Sequence, residues 1–408
     1  MRYEIKRLDE CCISISDGDH LPPPKSDSGV PFITISNIDT ANNTIDFSNT
    51  MFVPEAYYDA LQNIRKATPG DILYSVVGTF GVPVQIKTEK KFVFQRHIAI
   101  LRPNKDVVLP EYLYYVMKSG SFYAQADAFA VGSAQRTIGL SSLRKMKAAI
   151  PCVEDQEKTV TVLSAYDNLI EVNNKRIKVL EQMAESLYKE WFVRFRFPGH
   201  ETAEFENGIP EGWKRRRLGE FIVFERGVSY SSADLEDGGL VLLSMNNIKP
   251  FGGFIRDYTR SFCGKFKKYQ RVELGDLIMS ITDMTQDRRI IGYTGVVGPG
   301  KANRIISMHL LKLSSQEYGN IFLNYFFNCS GLSRIIAEHA TGTNVLGMTA
   351  DILKRIKAIC PPKHITAEFE NCIKPIIQNI HYYEQLNDVL AEQRDLLLPR
   401  LMSGKLEG

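Results

Sequence analysis

Residues 163–191, LSAYDNLIEVNNKRIKVLEQMAESLYKEW, decide the architecture. Leu163, Tyr166, Ile170, Asn173, Ile177, Leu180, Ala184, Leu187 and Trp191 fall at alternating spacings of three and four. Such a seam, held over about four heptads, marks a long helix that needs a partner along its length. Moved on by 210 residues, the stretch 373–401, IKPIIQNIHYYEQLNDVLAEQRDLLLPRL, puts Ile373, Ile376, Ile380, Tyr383, Asn387, Leu390, Arg394, Leu397 and Leu401 in the same places. The simplest partner for one seam is the other, laid antiparallel about a pseudo-two-fold axis. A helix of ~40 residues at 1.5 Å per residue is a strut of roughly 60 Å. The alternative is two core helices of an ordinary bundle; the heptads run long for that, and the flanking domains lack room to bury them.

Working outward, the offset of 210 recurs. Tyr3 falls on Trp213, Arg7 and Leu8 on Arg217 and Leu218, and Glu10 on Glu220. FITISNI (32–38) falls on LLSMNNI (242–248), YLYY (112–115) on FLNY (322–325), and Ala130-x-Gly132 on Ala340-x-Gly342. LRKMKA (143–148) meets LKRIKA (353–358), with Pro151 on Pro361. Between these anchors the offset wanders: Gly70-Asp71-Ile72 matches Gly275-Asp276-Leu277 at 205, and His97-Ile98 matches His309-Leu310 at 212. The chain is therefore one unit written twice, each copy with a fixed frame and a variable centre.

Each copy opens on a mixed α/β segment. Short β-branched runs (33–37, 72–77, 82–86, 97–101; 241–245, 277–281) are bounded by Gly, Pro and Asn, and helical patterns follow at 110–118 and 316–327. The expected organisation is domain 1–150, helix and linker 151–206, domain 207–362 and helix 363–408. The fold class is duplicated α/β (α+β) domains joined by two long antiparallel coiled-coil helices, with pseudo-two-fold symmetry. A chain of 408 residues, 44% hydrophobic and 24% charged, has ample material for such cores.

The net charge of +3 is unevenly spread. Residues 1–150 hold 17 Lys and Arg against 15 Asp and Glu, and 207–362 hold 21 against 14. The segments 151–206 (7 against 11) and 363–408 (5 against 7) are acidic. A basic block is the electrostatic footprint of a polyanion binder, although +2 alone is that of an ordinary domain. No run approaches ~18 apolar residues, and the first residues lack a signal-peptide core. The seven cysteines (11, 12, 152, 263, 329, 360, 372) form no C-x-x-C pair and are odd in number, as expected of reduced thiols in the cytoplasm.

Catalytic signatures are missing. Gly295…Gly300-Lys301 approaches a phosphate-binding loop, but Ala302 stands where a hydroxyl must reach Mg²⁺. No G-x-G-x-x-G follows a strand, and no Asn/Asp-Pro-Pro-aromatic motif of an amino-methyltransferase occurs. The histidines (20, 97, 200, 309, 339, 364, 381) never form H-x-x-x-H. Asp71 with Glu89-Lys90-Lys91 is the one arrangement that can be forced into a nuclease centre, and its counterpart Asp276 lacks the downstream partners. The expectation is a chain without catalysis, cofactor or metal.

Here the residues resemble a family. RIKVLEQMAESLYKEWFVRFRFPGH (176–200) resembles the central conserved region of type I restriction–modification specificity subunits, and AEQRDLLLPRLMSGKL (391–406) their distal one. Gly70-Asp71-Ile72-Leu73, Gly78-Thr79-Phe80-Gly81 and residues 140–150 running through Pro151 to Asp155-Gln156-Glu157 resemble the frame of their target-recognition domains. The second half departs: Lys363-His364-Ile365-Thr366 replaces the acidic Glu-Gln pair, and Thr282-Asp283-Met284-Thr285 the Gly-Thr-Phe-Gly turn. The resemblance implies a non-catalytic subunit that selects double-stranded DNA. Two modification subunits would bring S-adenosylmethionine and the adenine methyltransferase site. Restriction subunits would bring ATP, Mg²⁺ and cleavage, with no membrane involved.

Reading bases needs forked donors and amides, and gripping the backbone needs cations and hydroxyls. The candidates are Asn37, Thr79, Arg96, Gln135 and Arg136 in the first domain, and Asn247, Lys249, Gln286, Arg288, Arg289 and Asn344 in the second. Asn37 and Asn247 share the repeat frame, so holding a turn is the alternative for both. The 286–289 run occupies a variable centre. His97 and His309 sit in apolar strands as core residues. Trp191, Phe192 and Phe195 lie past the heptads, either packed under the second domain or set in a protein interface. Two other classes stand beside this reading: a self-sufficient nuclease and a coiled-coil adaptor without DNA affinity.

Overall fold

The computed structural model describes residues 2–403 except Leu21, Ala41, Asn49, Ala134, Asp237, Asp257, Thr259, Lys301, Ala302 and Asn344. It divides into two compact units, Met1–Ile170 with Val389–Gly408, and Glu171–Asp388. The division falls within the two long helices, Val153–Tyr188 and Lys363–Met402, so that each unit owns one domain and a piece of each helix.

In the first unit the central sheet is antiparallel, in the order Cys12–Asp17, Ile98–Pro103, Ile72–Ser75, Pro83–Gln85. Its runs ILYS and IAIL are continuously apolar because both faces are covered. Ile72, Tyr74, Ala99 and Leu101 face a core shared with Tyr112, Leu113, Leu163, Leu398 and Leu401, while Leu73, Ile98 and Ile100 face Ile33, Phe92 and Phe94. The latter side belongs to a smaller sheet in which Val30–Ile33 pairs antiparallel with Met51–Val53 and parallel with Val93–Phe94. Pro110 opens the covering helix Pro110–Lys118, at the position where a missing N–H costs nothing.

The second unit repeats this plan: Val223–Arg226, Leu310–Ser314, Leu277–Ser280 and Thr294–Val296 form its central sheet. Leu240–Leu243 pairs parallel with Arg304–Ile306, as Val30–Ile33 does with Val93–Phe94. A two-stranded ribbon closes each domain. Glu4 stands opposite Ile150 and Arg7 opposite Lys147; Lys214 stands opposite Cys360 and Arg217 opposite Lys357. Each of these pairs is displaced by 210 from its counterpart.

Inside each unit the two helix segments run antiparallel. Leu163 shares a core with Leu398 and Leu401, and one turn on Asp167 Oδ1 meets Arg394 Nη1 at 2.6 Å. In the second unit Asn173 donates to Asn387 Oδ1 at 2.9 Å, and Tyr188 meets Phe369 with ring centroids 5.8 Å apart. The seam residues Leu163, Asn173, Ala184, Trp191, Ile373, Ile380, Leu390 and Leu401 are buried; Tyr166, Ile170, Ile177, Leu180, Leu187, Ile376, Tyr383, Asn387, Arg394 and Leu397 are half-buried.

Trp191 and Phe192 lie under the second domain, packed with Trp213, Phe322 and Phe369, which decides between the two readings of these rings. The helix ends there in a π turn, Lys189–Val193, which takes one extra residue into the turn, and the consecutive Trp191 and Phe192 both enter one core. Phe195, at φ 58°, then turns the chain away.

Candidate nucleic-acid interface

One edge of each central sheet gathers the loops that carry the candidate residues. In the first domain, Gly18 N–H donates to Ile98 O (3.1 Å), Asp19 to Phe94 O (2.9 Å), Arg96 to Asp19 O (2.9 Å) and Val76 to His97 O (3.0 Å). In the second, Gly227 donates to Leu310 O (3.2 Å), Val228 to Ile306 O (2.8 Å), Met308 to Val228 O (2.7 Å) and Ile281 to His309 O (3.0 Å). The frame is thus repeated bond for bond. A Cβ on Gly18 or Gly227 would lie 2.1 Å from a backbone oxygen, so only glycine allows the strands to converge here.

A second loop joins this edge in both domains. Val77 and Val131 bridge Thr137 in the first, as Thr282–Asp283 pairs with Leu346–Gly347 and Thr341 bridges Gly347 in the second. Gly132 (φ 109°) and Gly342 (φ 136°) make the tight return of that loop.

The side chains set on this common frame differ. In the first domain Thr79 is exposed on a turn shaped by Gly78 (φ 72°) and Gly81 (φ 89°), beside the stacked rings of Phe80 and Tyr123. Gln135 and Arg96 are exposed, and their side chains make no hydrogen bond or ion pair with a described residue. Arg136 lies over Phe80 and is tied to Asp127 through its carboxylate and its carbonyl, both at 2.5 Å.

In the second domain Asp283 braces the variable loop: its carboxylate accepts from Thr285 N–H and hydroxyl (both 2.8 Å) and from Ile290 N–H (3.0 Å). Gln286 donates to Thr343 O at 2.7 Å, and Arg289 pairs with Asp287. Arg288, exposed at the tip with φ 54°, has no side-chain partner among the described residues. Lys249 pairs instead with Glu181 of the long helix at 3.2 Å. Asn344 lies outside the described residues.

Two candidates require correction. Asn37 and Asn247 are buried and hold short 3-10 turns. Asn37 Oδ1 accepts from Thr34 N–H (2.9 Å), and its amide donates to Asp46 O (3.2 Å). Asn247 Oδ1 accepts from Ser244 N–H (2.8 Å), and its amide donates to Ile255 O and Tyr258 O. Neither amide can read a base without unmaking its turn, so turn-holding is the role the structure gives them.

His97 and His309 occupy equivalent places at the edge. Burial first, and then the neighbouring Arg96 or Arg226, pushes both imidazoles below their ordinary pKa. Sequence reasoning missed Arg226, exposed beside His309, whose Nε donates to Met308 O at 3.3 Å. Aligning Gly18 with Gly227 sets Arg226 at the place of Asp17 and would have found it.

Asp71 does not form a catalytic cluster. Its carboxylate takes Arg102 Nε and Nη2 (3.0 and 2.8 Å) and the Thr68 N–H (2.8 Å), and it is buried at 2% exposure. Among the described residues no group of three or more His, Cys, Asp or Glu is placed to hold a metal, and no helix is long and apolar enough to cross a membrane.

Comparison with known proteins gives concordant matches. The family model described as the type I restriction modification DNA specificity domain matches residues 3–182. The specificity subunit of the type I restriction enzyme MjaIX of Methanocaldococcus jannaschii is 26% identical over 320 residues, covering 74% of this chain and 70% of that one. The putative MjaX specificity subunit of the same organism is 23% identical over 414 residues, covering 99% and 93%. Among solved structures, the S subunit of a type I restriction–modification system from M. genitalium aligns over 98% of this chain and 96% of its own, at a TM-score of 0.52 and 14% identity.

Proposed function

Since the chain belongs to the specificity subunits of type I restriction–modification systems, we propose that it selects a bipartite, asymmetric DNA site, one half through each domain. A specificity subunit does not itself catalyse, and its part in the system is DNA recognition. The observation that carries the finer reading is the sheet edge, whose backbone frame repeats while its side chains do not. Equal frames approach a groove in the same way, and unequal side chains read different bases there. Arg96, Thr79 and Gln135 are the readers of the first half-site, with Arg136 on its flank. Arg288 and Gln286 are those of the second, with Arg289 bracing the loop. The half-sites therefore differ in sequence, unlike the palindrome of a symmetric dimer.

The acidic long helices dock two modification subunits, which supply S-adenosylmethionine and the adenine methyltransferase centre. Restriction subunits, where the system has them, supply ATP-driven cleavage, and the complex acts in the cytoplasm on double-stranded DNA. The test is genome-wide mapping of methylated adenines in cells holding this chain and its modification subunit. A two-part motif that disappears when residues 1–150 or 207–362 are deleted supports the reading. Methylation unchanged without the chain overturns it and favours the adaptor; cleavage by the purified chain with Mg²⁺ alone favours the nuclease.

A further inference from the structure

The variable loop of the second domain is nearly twice as long as its counterpart in the first. Thirteen residues, 281–293, join Leu277–Ser280 to Thr294–Val296, where seven, 76–82, join Ile72–Ser75 to Pro83–Gln85. A longer loop has more conformations to choose from, so fixing its tip takes more contacts. Asp283 and Gln286 supply some of these from within the sheet edge. Others come from outside it.

The outside support is a hairpin. Ile248 bridges Phe254, and at the tip between them Phe251 N–H donates to Arg289 O at 2.8 Å. The Phe251 ring stands edge-on to Tyr293, with centroids 5.9 Å apart. Gly253 N–H donates to Thr294 O at 2.8 Å, and a Cβ on Gly295 would lie 2.8 Å from Gly253 O. The hairpin is thus seated on the variable loop and on the strand that follows it.

Behind the tip, the hairpin is fastened to the long helices. Arg256 grips Asp388 of Lys363–Met402 through Nη1 and Nη2, at 3.0 and 2.7 Å, and its side chain is only 15% exposed. A forked, part-buried pair of this kind fixes geometry as well as charge. Lys249 adds Glu181 of Val153–Tyr188, a weaker pair because both side chains are nearly half exposed. Glu384, on the same helix as Asp388, feels both cations: burial pushes its carboxyl above the usual range, and Arg256 and then Lys249 hold it down. Without Arg256, this acidic helix face loses its main hold on the hairpin.

The first domain fastens its hairpin by other means. The Asn37 amide binds Asp46 O as the Asn247 amide binds Ile255 O, which sets Phe47 at the place of Arg256 and Asp39 at that of Lys249. Phe47 packs edge-on against Phe92 of its own domain, with centroids 5.7 Å apart, and Asp39 accepts from the Asn42 amide at 2.7 Å.

We propose that Arg256, assisted by Lys249, is a positioning residue for the second half-site: by pinning the hairpin 248–256 to the long helices, it holds Gln286 and Arg288 where they read bases. The proposal rests on the DNA-recognition reading and goes beyond it, since fidelity at one half-site then depends on an ion pair that touches no base.

The test uses the full chain assembled with its modification subunits, methylating duplexes that carry single-base changes in either half of the mapped site. In Arg256→Gln the preference for the cognate second half-site over its single-base variants should fall about tenfold, while that for the first half-site changes less than about twofold. Asp388→Asn, an exposed position on the helix, should shift the second half-site the same way by about threefold, and it gives the answer if Arg256→Gln does not assemble. Arg256→Lys keeps the charge without the fork and should fall between wild type and Arg256→Gln. Amide exchange of peptides spanning 283–293 should quicken about tenfold in Arg256→Gln, with 76–86 unchanged. Equal loss at both half-sites means a general loosening and overturns the proposal, as does an unchanged preference or unchanged exchange. If the wild-type complex methylates no bipartite motif, the recognition reading fails instead, and exchange of 283–293 still decides whether Arg256 holds the loop.

Discussion

The two places where a domain is fastened to the long helices use equivalent positions and different chemistry. In the second unit Tyr188, Trp191 and Phe192 enter the domain core and meet Phe322 and Phe369 in a cluster of tilted and edge-on rings. The positions 210 further on, in the first unit, are Leu398, Leu401 and Met402, and Phe369 corresponds to Thr159. The smaller contact there is supplemented by charge. Asp167 accepts from Arg394 (2.6 Å) and from the Tyr115 hydroxyl (2.7 Å), with Lys118 at 3.9 Å. Burial, and then the charge of Asp167, raises the Tyr115 pKa and keeps its hydroxyl a donor. Arg394 and Asp167 correspond in turn to Ala184 and Ile377. Ring packing and ion pairing are thus alternative ways of fastening one fold, and they fail differently: a lost ring leaves a cavity, a lost ion leaves its partner unpaired.

The comparison can be broken at either end. Phe192→Ala should cost about 3–5 kcal/mol in the second unit. Amide hydrogen exchange of peptides from Asn320–Cys329 should quicken by at least two orders of magnitude, while Pro110–Lys118 keeps its protection. Equal loss in both peptides would mean that the two fastenings are not separate. Arg394→Ala should cost about 2 kcal/mol in the first unit, because it leaves Asp167, whose side chain is only 20% exposed, with only the Tyr115 hydroxyl and the more distant Lys118. Here the exchange pattern should reverse, and a cost under about 1 kcal/mol would remove the ion pair from the account. The double variant Asp167→Ile/Arg394→Ala installs the second unit's residues in the first. It should recover part of the single variant's loss in urea unfolding, since an apolar pair can replace a buried ionic one, but not all of it, because the Tyr115 hydroxyl loses its acceptor.

The seam was legible in the sequence because its period is set by helix geometry, and each of its residues is buried or half-buried. The duplication was legible because the two ribbons pair in the same register at one offset, although the stretches between their strands drift in length. The candidate interface was less so. Asn37 and Asn247 have the chemistry of base readers, and only their burial in 3-10 turns shows that their amides are already used. Arg136 and Arg289 look as free in the sequence as Arg96 and Arg288; Asp127, nine residues away from Arg136, and the curl of the loop that returns Arg289 to Asp287 separate them. Gln156 and Glu370 were likewise hidden. Gln156 caps Leu109 N–H (2.8 Å) and Glu370 caps Phe322 N–H (2.9 Å), at non-equivalent places that no offset reveals.

The π turn at Lys189–Val193 has a consequence for how this chain tolerates change. It holds one residue more than an α turn would, and each residue of an α-helix advances the chain by 100°. Deleting one residue there would restore a regular turn and swing either Trp191 or Phe192 out of the core. At the exposed Lys189, Val193 and Arg194 a substitution costs at most a surface ion pair, whereas a change in the number of residues costs a core ring. In this short stretch the fold constrains the count of residues more tightly than the identity of the exposed ones.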